Sequence, residues 1–245
     1  MKKILQTLLL LLPSLSVTLA QGTKEKVTFQ AEDGIEITAD KYVENQDYPY
    51  IILLHQAGSS RGEFNDIADR FLKLRYNCLA VDLRAGDNAN FVKNETAQNA
   101  RLQHASVRLI DAAQDIRAAI EYAWLQKPVE PILLGSSYSA SLAMVEGLKN
   151  PHVRAVIAFS PGEYFGDDLR VEEAIDTITK PLFIAATARE KPYVEQMMSH
   201  VPQTDYTLFS PEGGGMHGAR ALSNANPSKN QYWLALLLFI NNLNK

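Results

Sequence analysis

A single cysteine, Cys78, stands among 245 residues. One thiol excludes an intramolecular disulfide framework and any cysteine metal cluster. It sits in the apolar run Cys78-Leu-Ala-Val81, where it reads as a small core residue. No cluster of lysine and arginine is present, and the formal charge is −4. The chain therefore has no basic footprint for a nucleic acid, and none is expected as partner. The motifs H-E-x-x-H, G-x-x-x-x-G-K-[ST] and G-x-G-x-x-G are also missing, so no metal and no nucleotide or flavin cofactor is expected. Gly213 to Gly215 follow an apolar run but lead to a histidine, not to a phosphate-binding helix. Internal repeats, low-complexity segments and interdomain linkers are lacking too. What remains, 46% apolar and 21% charged, is ordinary globular material for one domain.

The N-terminus has the order of a secretory signal peptide. Lys2 and Lys3 precede the apolar run Ile4 to Leu12, followed by Ser14, Ser16 and the small-residue end Thr18-Leu-Ala20. The run is shorter than the ~20 residues that span a bilayer. No cysteine follows it to carry a lipid anchor. Residues 1–20 are expected to be removed and 21–245 to form the exported domain, without stable membrane insertion. Periplasm and medium both fit.

Along the chain, Lys26–Gln30 and Ile35–Asp40 alternate apolar and polar around Asp33-Gly34, the pattern of a β-hairpin. Pro49–Leu54 is a continuous apolar run, as expected of a buried strand, and ends in the small-residue loop His55-Gln-Ala-Gly-Ser-Ser60. Phe64, Ile67, Ala68, Phe71 and Leu72 have helical spacing, and Cys78–Val81 is the next strand. Residues 86–105 are amide-rich and read as a long surface excursion that overhangs a site. Asn94-Glu-Thr96 within it fits a glycosylation sequon. Leu109, Ile110, Ala113, Ile116, Ile120, Ala123 and Trp124 share one helical face, opposite Asp111, Asp115, Arg117 and Glu121. Strands follow at Pro131–Leu134, Arg154–Phe159, Pro181–Thr187 and Tyr206–Phe209. Between them lie helices from Ser139, at Val171–Ile178 and after Pro192, and a last helix starts at Ser228. Tyr232 to Ile240 is apolar nearly all round and reads as buried. This alternation predicts a single α/β domain with a mostly parallel sheet, helices on both faces, and ligands at the C-terminal strand ends. Too few residues separate the later strands for a cap domain.

The chemistry concentrates at Gly135-Ser-Ser137-Tyr-Ser139, between a short buried strand and a helix of small and apolar residues. A serine at a sharp strand-to-helix turn is held strained with its hydroxyl exposed, and only small residues fit two positions to either side. The helix behind it points amides and the positive end of its dipole at the place where an oxyanion would form. The stretch resembles the nucleophile elbow of the α/β-hydrolase family, with Ser137 as nucleophile. The usual second glycine is replaced by Ser139. The likeness extends from the Val27 hairpin to the last helix and rests on three strand-end loops in the expected order.

That resemblance implies the α/β-hydrolase fold, in the capless arrangement of dienelactone hydrolases and esterases. It implies His217, in Glu212-Gly-Gly-Gly-Met-His-Gly218, as base, with the glycines leaving the loop free to turn the imidazole back over the sheet. His104, His152 and His200 rank below it. The acid is Glu190, after the strand ending at Thr187, where Arg189 competes for it as a surface ion couple. Asp167 or Asp168 is the substitute. The oxyanion amides are those of Tyr138 and of Gln56 or Ala57, in a loop that resembles the His-Gly type. Phe91, Tyr138, Tyr164, Phe165 and Met216 are candidate wall residues. Cys78 lies outside the elbow, so a cysteine-based mechanism is excluded. The expected activity is that of an exported serine hydrolase acting on a small ester or acyl substrate through an acyl-enzyme. Acyl transfer or peptide hydrolysis with the same residues, and a non-catalytic binding protein on the same fold, are the alternatives.

Overall fold

The computed structural model describes residues 22–243. The expected signal segment lies outside them. Eight strands form one sheet: β1 (Thr23–Gln30), β2 (Glu36–Val43), β3 (Tyr50–Leu54), β4 (Asn77–Val81), β5 (Ile132–Ser136), β6 (Ala155–Phe159), β7 (Leu182–Ala185) and β8 (Thr207–Phe209). Their order across the sheet is β1-β2-β4-β3-β5-β6-β7-β8. β1 and β2 form the expected hairpin and pair antiparallel, β2 meets β4 antiparallel, and the rest is parallel. The helices are α1 (Ala68–Lys73), α2 (Glu95–Leu102), α3 (Ala112–Gln126), α4 (Tyr138–Gly147), α5 (Val171–Ala174), α6 (Lys191–Met197) and α7 (Lys229–Leu243).

The central strands are apolar throughout because both faces are covered. Ile52, Leu54, Leu79, Val81, Leu133 and Val156 pack into one core with α3, α4 and α6. Their sequence neighbours Ile51, Leu53, Cys78, Ala80, Ile132 and Ile157 point the other way, into a second core with α1 and α7. A period of two thus splits each strand between two cores.

Several expectations change on folding. The excursion at 86–105 contains α2, with Ala97 and Ala100 fully buried. Asn94 is no exposed sequon. It caps α2 through the Ala97 N–H and donates from Nδ2 to the carbonyls of Ser59 and Leu83, both at 3.0 Å, at 1% exposure. In the folded chain this side chain is out of reach of a glycosyl transferase. Asp115, expected on the polar face of its helix, is fully buried. It accepts from the Arg84 guanidinium at 2.7 Å, which also reaches Asp33. Burial raises the Asp115 carboxyl to about 6, with Arg84 pulling against that rise. The last helix is not buried all round, since Leu234 and Leu238 are exposed. The helical pattern around Phe64 and Phe71 divides into a 3-10 turn at Arg61–Phe64 and α1. Leu109–Asp111 is likewise a 3-10 turn leading into α3.

Replacing Asn94 by alanine strands the buried Leu83 carbonyl, which costs about 1–3 kcal/mol when unpaired, and removes the cap on the Ala97 N–H, worth about 0.5–2 kcal/mol, while the Ser59 carbonyl keeps the Asp87 N–H at 2.8 Å. Asn94→Ala is expected to lose about 2–4 kcal/mol, read as a lower denaturant midpoint at constant slope.

Candidate active site

The strand order reverses beside β3, with β4 on one side and β5 on the other. Loops leaving β3 and β5 therefore diverge, and a crevice opens at their C-terminal ends. Ser137 stands at that point. Its backbone has φ 60° and ψ −125°, between the last residue of β5 and the first turn of α4. Such a conformation costs a non-glycine residue about 1–3 kcal/mol. Gly135 is required two positions before it, because a Cβ there would lie 2.5 Å from the Ala140 Cα and from the Ser139 carbonyl oxygen. Ser139, where the family usually has glycine, is accommodated by bonding. Its hydroxyl donates to the Leu54 carbonyl at 2.8 Å and accepts from the Ser136 N–H at 2.9 Å. The substituted serine ties the elbow to the end of β3.

Glycines 213–215, all at positive φ, carry the chain after β8 back toward β5 and bring His217 to Ser137. The His217 Nε2 lies 2.8 Å from the Ser137 Oγ, and its Nδ1 lies 2.6 Å from the Glu190 Oε1. Glu190, at the start of α6, receives two further donors on its other oxygen. These are the Thr187 N–H at 2.9 Å and the Ser160 hydroxyl at 2.7 Å. Burial works to raise the Glu190 carboxyl, but bonds from His217, the Thr187 amide and Ser160 outweigh it and hold it near 2. It stays a carboxylate and fixes the proton of His217 on Nδ1, which leaves Nε2 free to accept from serine. Ser160, at φ 53°, also accepts from the Gly218 N–H at 3.0 Å. One hydroxyl thus positions Glu190 and the segment just after His217.

The loop after β3 is held by His55, which is fully buried. Its Nε2 accepts from the Leu83 N–H at 2.9 Å, so the proton sits on Nδ1 and is donated to the Gln56 carbonyl at 2.7 Å. Burial lowers the His55 pKa, which keeps the ring neutral in this role. Fixing the Gln56 carbonyl fixes the Ala57 N–H, which is trans to it in the planar peptide. The Ala57 amide has no acceptor among the described residues, whereas the Gln56 amide donates to Glu63 at 3.1 Å. Of the two expected oxyanion amides in this loop, Ala57 is the free one. The Tyr138 amide stands at the N-terminus of α4, directly after Ser137.

Other candidates fall elsewhere. Asp167 and Asp168 lie in an exposed 3-10 turn, and Asp168 pairs with Arg108. Arg189 makes no ion pair with Glu190 among the described residues. His152 stacks on Trp124 at 4.2 Å. The Tyr138 side chain is fully buried and forms no wall, and Phe165 is also buried. Tyr164 is partly exposed and its hydroxyl donates to the Ser160 carbonyl at 2.8 Å. It lines a cleft of about 410 Å³ with Pro161, Glu190, Tyr193 and Met197. A second cleft, of about 570 Å³, runs from Gln56 and Glu63 past Asn90 to Arg220 and Ser223. Phe91 projects fully into solvent beside it. Ser136 and Ser160 had no sequence signal beyond standing at strand ends.

No family model matches the chain, and no curated protein does. Among solved structures, a dienelactone hydrolase from Anabaena variabilis superposes with a TM-score of 0.66 at 17% identity, over 89% of this chain and 96% of the other. An esterase from Pyrococcus furiosus gives 0.66 at 17% identity, over 90% of each chain. A protein described as a putative dienelactone hydrolase from Klebsiella pneumoniae gives 0.69 at 13% identity, over 89% of this chain and 98% of the other. The chain has the α/β-hydrolase fold, as a single domain without a large cap.

The depressed Glu190 carboxyl makes stability depend on pH with a definite sign. The unfolded chain binds this proton near pH 4.5 and the folded chain only near 2. The contribution is therefore complete above 4.5 and lost as pH falls toward 2. The melting-temperature gap between wild type and Glu190→Gln should be widest above pH 4.5 and narrow below it. A gap that stays constant from pH 6 to pH 2.5 contradicts the assignment.

Proposed function

We propose that the chain is an exported serine hydrolase that cleaves carboxylic esters through an acyl-enzyme on Ser137. The observation that carries this reading is the continuous line of short contacts from Glu190 through His217 to the Ser137 hydroxyl. A carboxylate, an oriented imidazole and a serine in that order make the hydroxyl a nucleophile. The names of similar folds, dienelactone hydrolase and esterase, agree with it.

In the proposed cycle the Ser137 Oγ attacks the ester carbonyl while its proton passes to the His217 Nε2. The carbonyl π electrons move onto oxygen, which the Ala57 and Tyr138 amides stabilise. As the tetrahedral species collapses, the C–O bond to the alcohol breaks and His217 protonates the leaving oxygen. Water then repeats the sequence on the acyl-enzyme, releasing acid and restoring Ser137. Glu190 remains ionised and stabilises the imidazolium. Cys78 has no part in this, being fully buried with its thiol pushed up by desolvation. The clefts lined by Glu190 and Tyr164 and by Gln56 leave room for a small ester. Export rests on residues 1–20. Among the described residues no helix is long and apolar enough to cross a membrane.

Purified protein should be labelled by a fluorophosphonate at Ser137, and labelling should vanish in Ser137→Ala and His217→Ala. Turnover of a short acyl ester should fall by about 10³-fold or more in either variant. A folded wild type that takes no label would instead leave a binding protein on this fold. Product formed only when an acceptor alcohol is added would make the chain an acyltransferase. N-terminal sequencing of exported protein should begin after Ala20.

A further inference from the structure

Glu63 is a second buried carboxylate at the site, 5% exposed, and the reaction described above does not use it. No lysine or arginine forms an ion pair with it among the described residues. Both of its oxygens accept from groups of the site. Oε2 accepts from the Gln56 N–H at 3.1 Å, and Oε1 accepts from the Ser136 hydroxyl at 2.7 Å. The Ser136 oxygen in turn accepts from the Ala219 N–H at 2.8 Å. The three groups Gln56, Ser136 and Ala219 stand on three different segments of the site. Gln56 precedes Ala57, the free amide of the β3 loop. Ser136 precedes Ser137. Ala219 is two residues beyond His217.

An apolar side chain of similar size would serve packing alone, whereas Glu63 uses both of its oxygens to hold groups of the site. The fit around it is also close. Gly218 takes φ +67°, and a Cβ there would fall 2.4 Å from the Ser136 Oγ. The chain thus gives up both apolar burial and a side chain to keep this junction. We infer that Glu63 is a positioning residue, which through Ser136 holds the oxyanion loop, the nucleophile elbow and the histidine loop in one register. The inference rests on the serine-hydrolase reading. Its division of labour with Ser160 is plain in the geometry: Ser160 links the acid to Gly218, and Ser136 links Glu63 to Ala219. Two consecutive amides after His217 are therefore clamped by two serines, each donating its own proton to a different carboxylate. The register matters because a misplacement of about 1 Å at a reacting centre can cost about 100-fold in rate.

The test uses the full chain with 4-nitrophenyl acetate as substrate and a fluorophosphonate to count active sites. Per titrated site, Glu63→Ala should lose about 100-fold in kcat with KM changed by less than about threefold, the signature of lost transition-state geometry. Glu63→Gln should recover to within about fivefold of wild type. Its amide oxygen can accept from Gln56 while its NH2 donates to Ser136. Ser136→Ala should fall by about tenfold or more, and the double variant Glu63→Ala/Ser136→Ala should be no slower than Glu63→Ala, since both act through one chain. A folded Glu63→Ala with wild-type kcat per site, or losses that multiply in the double variant, overturns the inference. If Glu63→Ala does not fold, an unchanged kcat in Ser136→Ala overturns it equally. Hydrogen exchange separates this from the parent reading. The Gln56 and Ala219 amides should exchange faster in Glu63→Ala or Ser136→Ala, a readout that needs no turnover. Unlabelled wild type with faster exchange in the variants would sink the hydrolase while leaving the clamp, and unchanged exchange would sink the clamp.

Discussion

The backbone of Ser137 is the constraint on which the site depends. A residue at φ 60° and ψ −125° is not stable on its own, and the surroundings must hold it there. β5 fixes it from one side through five residues buried on both faces, and α4 from the other. Gly135 makes the close approach of strand and helix sterically allowed. Ser139 then adds a bond to the end of β3, so the turn is anchored to the strand whose loop carries the Ala57 amide. Backbone strain is here converted into aim: the hydroxyl of a residue only 7% exposed is turned onto His217 at the crevice between β3 and β5.

Around that point the structure uses buried polar groups as fasteners, and each comes with its partners. His55 works as a neutral ring because burial disfavours its charge, and only the neutral ring can accept from Leu83 while donating to Gln56. Glu190 works as an ion because its three donors outweigh burial. The same physics thus sets two groups in opposite states, according to which bonds the loops supply. Farther out, Asp115 and Arg84 pin α3 to the loop after β4. Asn94 closes the segment over His55 with a side chain that no surface residue would need.

Much of the fold was legible in the sequence. Continuous apolar runs marked β3 to β7, and alternation marked the hairpin. Helical spacing between the runs required a parallel sheet, which puts functional loops at one edge. The elbow was legible because its strain demands small residues at fixed spacing, and Gly213 to Gly215 with His217 because a loop that must double back needs positive φ. Less legible was everything decided by contacts distant in sequence. Asp115 looked like a solvated residue because helical periodicity cannot show that Arg84 will arrive against it. The amide-rich stretch looked like an open loop because a short helix with only three buried residues leaves a weak pattern. The structural role of Asn94 gave no local signal because its partners are Ser59 and Leu83.

By itself, then, the chain determined the element order, the parallel sheet, and the residue types needed for a serine, an imidazole and a carboxylate at the strand ends. Local rules suffice for these, since a period of two, a period of about 3.6 and the steric demands of a tight turn act over a few residues. Only the tertiary structure decided which carboxylate faces His217, which amide of the β3 loop is free, and that Ser136, Ser160 and Glu63 join the loops. The last of these turns on hydrogen bonds between groups 58 to 83 residues apart, whose geometry exists only once the sheet has brought the strand ends together.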